Sequence, residues 1–301
     1  MHVLVPFPVN TPDGVAAHVW ESGDLPDSSV LDVVEVHVLP YTFDAASFAA
    51  VPALPRLRVL QTLTAGYEHV LGHLPDGVTL CNAGGVHDDS TAELALTLML
   101  SAQRGIADFV RAQDVQRWAY AAYPSLADRR VLVVGFGGVG RAIAARLTPF
   151  GCHVTAVART PRPGVQGMDD LPDLLRQAEI VVLAVPLDDG TRHLVDDAFL
   201  GAMPDGALLV NVSRGPVVDT DALVAQTSAG RLRAALDVTD PEPLPTGHPL
   251  WSSPGVLISP HVGGNTSAFW PRARRLVEQQ LTRIATGQPP LHQVAGPTLG
   301  P

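Results

Sequence analysis

Three polar residues follow late apolar stretches of the sequence and could together carry out acid–base chemistry on a carboxylate. Arg214, Glu242 and His261 each come shortly after a short apolar run of the strand type. A histidine exchanges a proton near neutral pH, and a neighbouring carboxylate favours its charged form and fixes its ring. An arginine can bind a carboxylate through two parallel hydrogen bonds. Each residue alone also fits an ordinary surface position, so the prediction of a site depends on the set.

A glycine motif is the second chemical signal. Residues 131–140 read VLVVGFGGVG and match G-x-G-x-x-G between an apolar strand and an Ala-rich helix. The first glycine permits a tight turn, the second lets backbone approach a pyrophosphate, and the third lets helix and strand pack closely. The N–H groups of the helix N-terminus can then bind the anion. We expect the dinucleotide to contact Gly135, Gly137, Gly138, Val139 and Gly140.

The residues after the second strand of this unit bear on the choice of cofactor. An NAD site usually has an acid there that binds the ribose hydroxyls, but this chain has Ala158 and no acid anywhere in 141–168. Arg159, Thr160 and Arg162 follow, and a guanidinium suits a 2′-phosphate. The pattern predicts NADP(H) as the preferred cofactor, with NAD(H) possible. The alternative is that the arginines are solvated loop charges.

A parallel sheet would bring these residues together, because the carboxyl ends of its strands form the ligand crevice. Continuous apolar runs are typical of strands that are covered on both faces, and they occur at 131–134, 154–158, 180–185, 207–212, 233–238 and 256–259. The first part of the chain has shorter strand-like runs at 2–7, 34–39, 58–63 and 78–81. Residues 90–104 and 270–286 read as helices, and we expect extended surface chain after Gly287.

Composition excludes several classes of protein. The chain has 301 residues, enough for two domains, with a net charge of −10, which disfavours a nucleic-acid partner. All 20 basic residues are arginine, so a Schiff base or a Walker A loop, which need lysine, is excluded. Cys81 and Cys152 have no metal-binding spacing, and we expect no metal site. Without an apolar run of membrane-spanning length or a signal-peptide pattern, we expect a cytoplasmic protein with no membrane partner.

The late motifs resemble the D-isomer-specific 2-hydroxyacid dehydrogenase family. That family has N-x-x-RG-x-x-VD after a strand, then LDV, a nearby EP, and PH followed by small residues. This chain has NVSRGPVVD at 211–219, ALDV at 235–238, DPEPLP at 240–245 and SPHVGG at 259–264. Together with the glycine motif, the match covers about residues 90–285. The first part matches mainly through TAGYEHV at 64–70 and AEL at 92–94.

The resemblance implies a role for each matched residue. Arg214 would bind the carboxylate of a 2-oxo acid and polarise its carbonyl, His261 would donate the proton to the carbonyl oxygen, and Glu242 would be the partner of His261. The backbone at Ala65 and Gly66 would hold the substrate carboxylate from the other domain. The cofactor contacts implied in addition are Pro186, Val212, Asp237 and Gly263, with Asp237 near the nicotinamide carboxamide.

The resemblance also implies the architecture. We expect a doubly wound parallel Rossmann domain over 97–268 and a smaller flavodoxin-like α/β substrate domain formed by 1–96 and 269–301. We further expect a homodimer. Two departures from the family pattern matter: Ala158 stands in place of the usual acid, and Tyr67 stands where a smaller residue is frequent.

The favoured function is reduction of a small 2-oxo acid, of the glyoxylate or hydroxypyruvate type, to the D-2-hydroxy acid with NADPH. One alternative is an NAD-dependent member of the family, of the phosphoglycerate or D-lactate dehydrogenase type. A formate dehydrogenase relative is disfavoured because that branch lacks the acid that Glu242 supplies here. An alternative from another class is a nucleotide-sensing corepressor, which turnover of any 2-oxo acid would exclude.

Overall fold

A computed structural model describes residues 1–42 and 45–298. The chain divides into two units, one formed by Met1–His87 with Ser267–Pro301 and the other by Asp88–Thr266. The first unit begins with β1 (His2–Val5), β2 (Ala16–Val19), α1 (Ser28–Leu31), β3 (Val34–Val38), β4 (Val59–Gln61) and β5 (Thr79–Cys81).

The second unit holds the glycine motif and the late polar residues. Its elements are α2 (Asp88–Gln103), α3 (Ile106–Asp114), β6 (Arg130–Val134), α4 (Gly138–Leu147), β7 (His153–Val157), α5 (Leu171–Leu175), β8 (Ile180–Leu183), α6 (Asp197–Ala202), β9 (Leu208–Asn211), α7 (Thr220–Ser228), β10 (Arg233–Leu236) and β11 (Val256–Ile258). The strands form a parallel sheet in the order β7-β6-β8-β9-β10-β11. The predicted doubly wound Rossmann architecture is therefore confirmed.

The apolar runs become strands because both faces of this sheet are covered. Leu132, Val134 and Val181 pack into a core on one face, and Val131 and Val133 pack into a core on the other. Chain order reverses between β6 and β8, since β7 lies on one side of β6 and β8 on the other. Ligands of open α/β sheets bind outside the carboxyl ends of the strands at such a switch point.

The first unit is completed by the C-terminal part of the chain, with α8 (Phe269–Ala285) and β12 (Gln293–Ala295). Its sheet has the order β2-β1-β3-β4-β5-β12, parallel except for the antiparallel β12. The order of its first five strands is that of flavodoxin-like folds, as predicted. Extended surface chain was expected after Gly287, and this was wrong for β12, whose three residues pair with β5 and extend the sheet.

The boundary between the units differs from the predicted one at 96–97, which falls inside α2. Ala92, Leu96 and Met99 of this helix are buried in the same core as β6 and α4, so the helix lies wholly in the second unit. An apolar helix does not indicate in its sequence which unit it packs on. Among the residues that the structure describes, no helix combines the length and the apolar character needed to cross a membrane.

Candidate active site

The glycine motif forms the turn between β6 and α4. Gly135 has a φ of 96°, and a Cβ placed there would lie 2.5 Å from the carbonyl oxygen of Ala184, just beyond β8. A Cβ at Gly140 would lie 2.0 Å from the carbonyl oxygen of Gly135. Neither position can accept a side chain without backbone movement, because the atoms in the way are backbone atoms.

Gly137 differs, since a Cβ placed there would meet no protein atom within 4 Å. It is the N-cap residue of α4 and has no side chain that could cap the helix. At the next residue the space is occupied, because a Cβ at Gly138 would lie 1.9 Å from Oδ2 of Asp88. The open space at Gly137, where α4 begins, fits the pyrophosphate of a dinucleotide.

The segment after β7 places Ala158, Arg159, Thr160 and Arg162 on the surface side of this turn. Arg162 Nη2 donates to the carbonyl oxygen of Phe136 at 2.8 Å, and its guanidinium carbon lies 5.7 Å from the centroid of the Phe136 ring. Two contacts thus hold Arg162 against the glycine turn. Arg159 instead forms an ion pair with Asp188.

Asp188 is a residue that the sequence reasoning missed. It lies in the turn after β8, two residues beyond the predicted cofactor contact Pro186. The only signal in the sequence was its position as an acid shortly after the predicted strand at 180–185. The hydrogen bond from Arg159 lowers the pKa of the Asp188 carboxyl.

Arg214 follows β9, in a turn that is held by hydrogen bonds of the Asn211 side chain. Asn211 Oδ1 accepts hydrogen bonds from the backbone N–H and hydroxyl of Ser213 at 3.0 and 2.7 Å, and its Nδ2 donates to the carbonyl oxygen of Arg214 at 3.0 Å. A Cβ at Gly215 would lie 1.9 Å from the carbonyl oxygen of Thr239. The Arg–Gly pair therefore brings half-buried Arg214 close to the chain that leaves the neighbouring strand β10.

Glu242 and His261 are in direct contact. Nδ1 of His261 lies 2.5 Å from Oε1 of Glu242, and the two side chains are 29% and 40% exposed, respectively. Because a carboxylate oxygen only accepts, Nδ1 carries a hydrogen in this tautomer. Nε2 is then the ring atom that gains or loses a proton. This pair is suited to general acid–base catalysis.

His261 has a left-handed backbone conformation, which is uncommon for residues other than glycine. Its φ is 52°, and this conformation costs about 1–3 kcal/mol. The carbonyl oxygen of Asp237 accepts from the N–H of His261 at 2.7 Å, and the buried Asp237 carboxylate holds the rest of the loop. It accepts from the Ser259 hydroxyl at 2.7 Å and from the N–H groups of Val262 and Gly263 at 2.9 Å each.

The structure thus gives Asp237 a role that the sequence reasoning had not assigned. Each charge-assisted hydrogen bond contributes roughly 1.5–3 kcal/mol, so the set outweighs the strain at His261. Gly263 is part of this anchored loop, and Val212 is buried just after β9. The expected contacts of these three residues with the cofactor stay predictions.

The first unit holds Ala65 and Gly66 in the loop after β4. The carbonyl oxygen of Gly66 accepts from the Thr64 hydroxyl at 2.6 Å, and that of Ala65 accepts from Asn82 Nδ2 at 2.6 Å. Both carbonyls are thereby held in place by hydrogen bonds. Tyr67 follows them, half-buried against the core of this unit. That this loop binds a substrate stays a prediction.

Comparison with known proteins agrees with this site. A model of the family described as "D-isomer specific 2-hydroxyacid dehydrogenase, NAD binding domain" matches residues 96–263. The glyoxylate reductase of Thermofilum pendens is 32% identical over 255 residues, which cover 79% of this chain and 75% of that protein. The glyoxylate reductase/hydroxypyruvate reductase of Homo sapiens is 31% identical over 277 residues, 84% and 79% of the respective chains.

A solved structure agrees over nearly the whole chain. The D-isomer specific 2-hydroxyacid dehydrogenase from Xanthobacter autotrophicus Py2, in complex with NADPH and MES, superposes with a TM-score of 0.80 at 31% identity and covers 97% of both chains. The glycine turn, the open space at Gly137 and the hydrogen-bonded Glu242–His261 pair fit a nicotinamide-dependent enzyme. The chain belongs to the D-isomer specific 2-hydroxyacid dehydrogenase family, whose members are NAD(P)-dependent enzymes.

Proposed function

We propose that this protein reduces a small 2-oxo acid of the glyoxylate or hydroxypyruvate type to the D-2-hydroxy acid, with NADPH as the preferred reductant. The observation that carries the proposal is the hydrogen bond between His261 and Glu242, in an anchored loop beside the strand end that holds Arg214. Relatives called glyoxylate reductase, 30–32% identical to this chain, support the substrate class.

In this proposal each of the three residues has a separate task. Arg214 binds the substrate carboxylate with its planar guanidinium and polarises the neighbouring carbonyl. A bound nicotinamide supplies the hydride that the carbonyl carbon accepts. His261, with its Nδ1–H held by Glu242, donates the proton on Nε2 to the carbonyl oxygen, so that the alcohol forms without a free alkoxide. For alcohol oxidation the same ring would have to be neutral.

Two features support NADPH over NADH. Ala158 lacks the carboxylate that would accept hydrogen bonds from the ribose hydroxyls and would repel a 2′-phosphate. Arg162 is held against the glycine turn by its contacts with the carbonyl oxygen and the ring of Phe136. The solved relative from Xanthobacter autotrophicus contains NADPH. We expect kcat/KM to favour NADPH by about one decade. This preference should shrink at high salt because Arg162 is exposed.

We also propose that Ala65 and Gly66 take part in binding the substrate carboxylate. Their carbonyls are held by Thr64 and Asn82, so the loop is ordered before a ligand arrives. Hydrogen exchange of 65–67 should slow when NADPH and a non-reactive 2-oxo acid analogue are added together. Unchanged exchange there would contradict this placement.

We propose that the protein is a homodimer that associates through residues 106–123. The side chains of Trp118 and Tyr120 are 95% and 92% exposed, and they line an apolar groove of about 550 Å³ beside α3. Exposed apolar patches of this kind mark association sites. The double change Trp118→Ala with Tyr120→Ala should give a monomer in light scattering, whereas Phe150→Ala, at another exposed aromatic residue, should leave a dimer. The cytoplasmic location stays a prediction.

The test of the proposed reaction is a panel of 2-oxo acids assayed with NADPH and with NADH, in which the nicotinamide absorbance is followed. We expect the highest kcat/KM with glyoxylate or hydroxypyruvate and NADPH. Absence of turnover with every acid would contradict the reaction and favour a corepressor. An equal or higher value with NADH would contradict the cofactor preference alone.

A further inference from the structure

We propose that Asp188 limits the preference for NADPH, because its carboxylate pairs with Arg159 and supplies, from another strand end, an acid of the kind that is missing at Ala158. In this inference, which rests on the proposed dinucleotide-dependent function, Asp188 disfavours a 2′-phosphate and favours the ribose hydroxyls. The acid comes from the end of β8 rather than from the end of β7.

The first step is the placement of the two side chains. Arg159 follows β7 and Asp188 follows β8, and these strands flank the glycine strand β6 on opposite sides. Arg159 Nη2 donates to Asp188 Oδ2. The pair therefore joins the two strand ends on either side of the glycine strand, at the switch point of the sheet.

The second step is that Asp188 is fixed whereas Arg159 is not. Asp188 Oδ1 accepts from the N–H of Gly190 at 3.0 Å, and the N–H of Asp188 donates to the Thr191 hydroxyl at 2.8 Å. The same hydroxyl donates to the carbonyl oxygen of Pro186 at 2.7 Å. Arg159 is 71% exposed on a long flexible side chain. The acid therefore sets where the guanidinium lies.

The third step concerns charge. The hydrogen bond from Arg159 holds the pKa of Asp188 below its ordinary value, so the carboxylate is ionised at neutral pH and offsets the charge of Arg159. A 2′-phosphate carries nearly two negative charges and would be repelled by this carboxylate, whereas a ribose hydroxyl could donate to it. Among the described residues, Arg162 forms no ion pair with an acid, which leaves it as the main cation for the phosphate.

Neutralising the carboxylate without changing its shape tests the inference. Asp188→Asn keeps an oxygen for the N–H of Gly190 but cannot offset Arg159. Asp189→Asn is the matched control, because it removes the same charge from the exposed neighbouring position of the same turn. The probes are adenosine 2′,5′-bisphosphate and 5′-AMP, whose dissociation constants are measured by calorimetry without any 2-oxo acid.

We expect Asp188→Asn to raise the preference for the bisphosphate over AMP by about fivefold, which corresponds to ~1 kcal/mol. Asp189→Asn should change this ratio by less than about twofold, since its charge lies outside the pair. In an Arg159→Gln background, Asp188→Asn should lose most of its effect, because the two residues act as a pair. The NADPH/NADH ratio of kcat/KM should shift in the same direction as the binding ratio.

An unchanged binding ratio in Asp188→Asn would overturn the inference. A lower ratio would overturn it too, since Asp188 would then orient Arg159 for the phosphate rather than occupy it. Failure of the wild type to reduce any 2-oxo acid would instead contradict the proposed function. The fragment ratio would still be measurable in that case, because the probes contain no nicotinamide.

Discussion

Nδ1 of His261 lies 2.5 Å from Oε1 of Glu242, although the two residues are 19 positions apart in the chain. The loop that carries His261 is held by the Asp237 carboxylate through three hydrogen bonds. The Glu242–His261 pair is thus held by the segments that follow the neighbouring strands β10 and β11, in the absence of any ligand. Such preorganisation is what a proton donor at an active site requires.

The first prediction concerns the contact between Glu242 and His261. Glu242→Gln removes the carboxylate that accepts from Nδ1 of His261, so the ring loses the partner that fixes its orientation, and kcat for reduction should fall by about tenfold or more. The melting temperature should change little, because both side chains are partly exposed. The measurement is kcat with saturating NADPH under conditions in which chemistry limits the rate. A kcat equal to that of the wild type would count against the pairing.

The second prediction concerns Arg214. Arg214→Lys keeps the charge but not the planar fork, so kcat/KM should fall by about two orders of magnitude, or roughly 3 kcal/mol. The melting temperature should change little. Arg176→Lys, at an exposed arginine of α5's C-terminus that pairs with Asp173, is the control and should keep full activity. Near-wild-type kcat/KM in Arg214→Lys would show that Arg214 does not bind the substrate.

The third prediction separates folding from cofactor binding. A Cβ at Gly137 meets no protein atom within 4 Å, so Gly137→Ala should fold normally but raise the dissociation constant of NADPH at least about tenfold, because the methyl group would occupy the path of the pyrophosphate. Gly201→Ala, also in open space, should change neither quantity. Unaltered NADPH affinity in Gly137→Ala would place the pyrophosphate elsewhere.

The fourth prediction concerns acid stability of the first unit. His37 of β3 is fully buried, and this burial lowers its pKa from 6.5 to about 4. Below pH 6.5 the unfolded chain binds a proton at His37 that the folded chain does not bind. The stability contributed by neutral His37 is therefore complete above pH 6.5 and is lost as the pH falls towards 4.

The loss should amount to about 3 kcal/mol over this range, with a slope of up to ~1.4 kcal/mol per pH unit. Urea unfolding of His37→Leu at several pH values should show a shallower dependence than the wild type, whatever its absolute stability. His153→Gln, at an exposed histidine, should keep the wild-type slope. Equal slopes for the wild type and His37→Leu would contradict the assignment.

Much of the fold could be predicted from the sequence because a two-sided sheet requires continuous apolar runs. The runs at 131–134 and 180–185 became β6 and β8. Strand β2 was missed because it is an edge strand with exposed side chains, and its sequence, AAHV, lacks a clear strand pattern. Strand β12 was missed because its pairing with β5 depends on residues more than 200 positions away.

The candidate site was predictable to the extent that its residues follow strands or belong to a motif. Glu242 and His261 were expected to be partners, and their side chains are in contact. The pairing of Arg159 with Asp188 could not be read from the sequence, because it depends on which strands are neighbours in the sheet. The anchoring role of Asp237 depends in the same way on three partners in the loop after β11.

The most direct test of the proposed reaction is product analysis with hydroxypyruvate and NADPH. One molecule of NADPH should be consumed for each molecule of glycerate formed, and chiral chromatography should show the D enantiomer alone. His261→Gln should lower the rate of both processes together by at least about two orders of magnitude. Formation of the L enantiomer, or no NADPH consumption with any 2-oxo acid, would contradict the account.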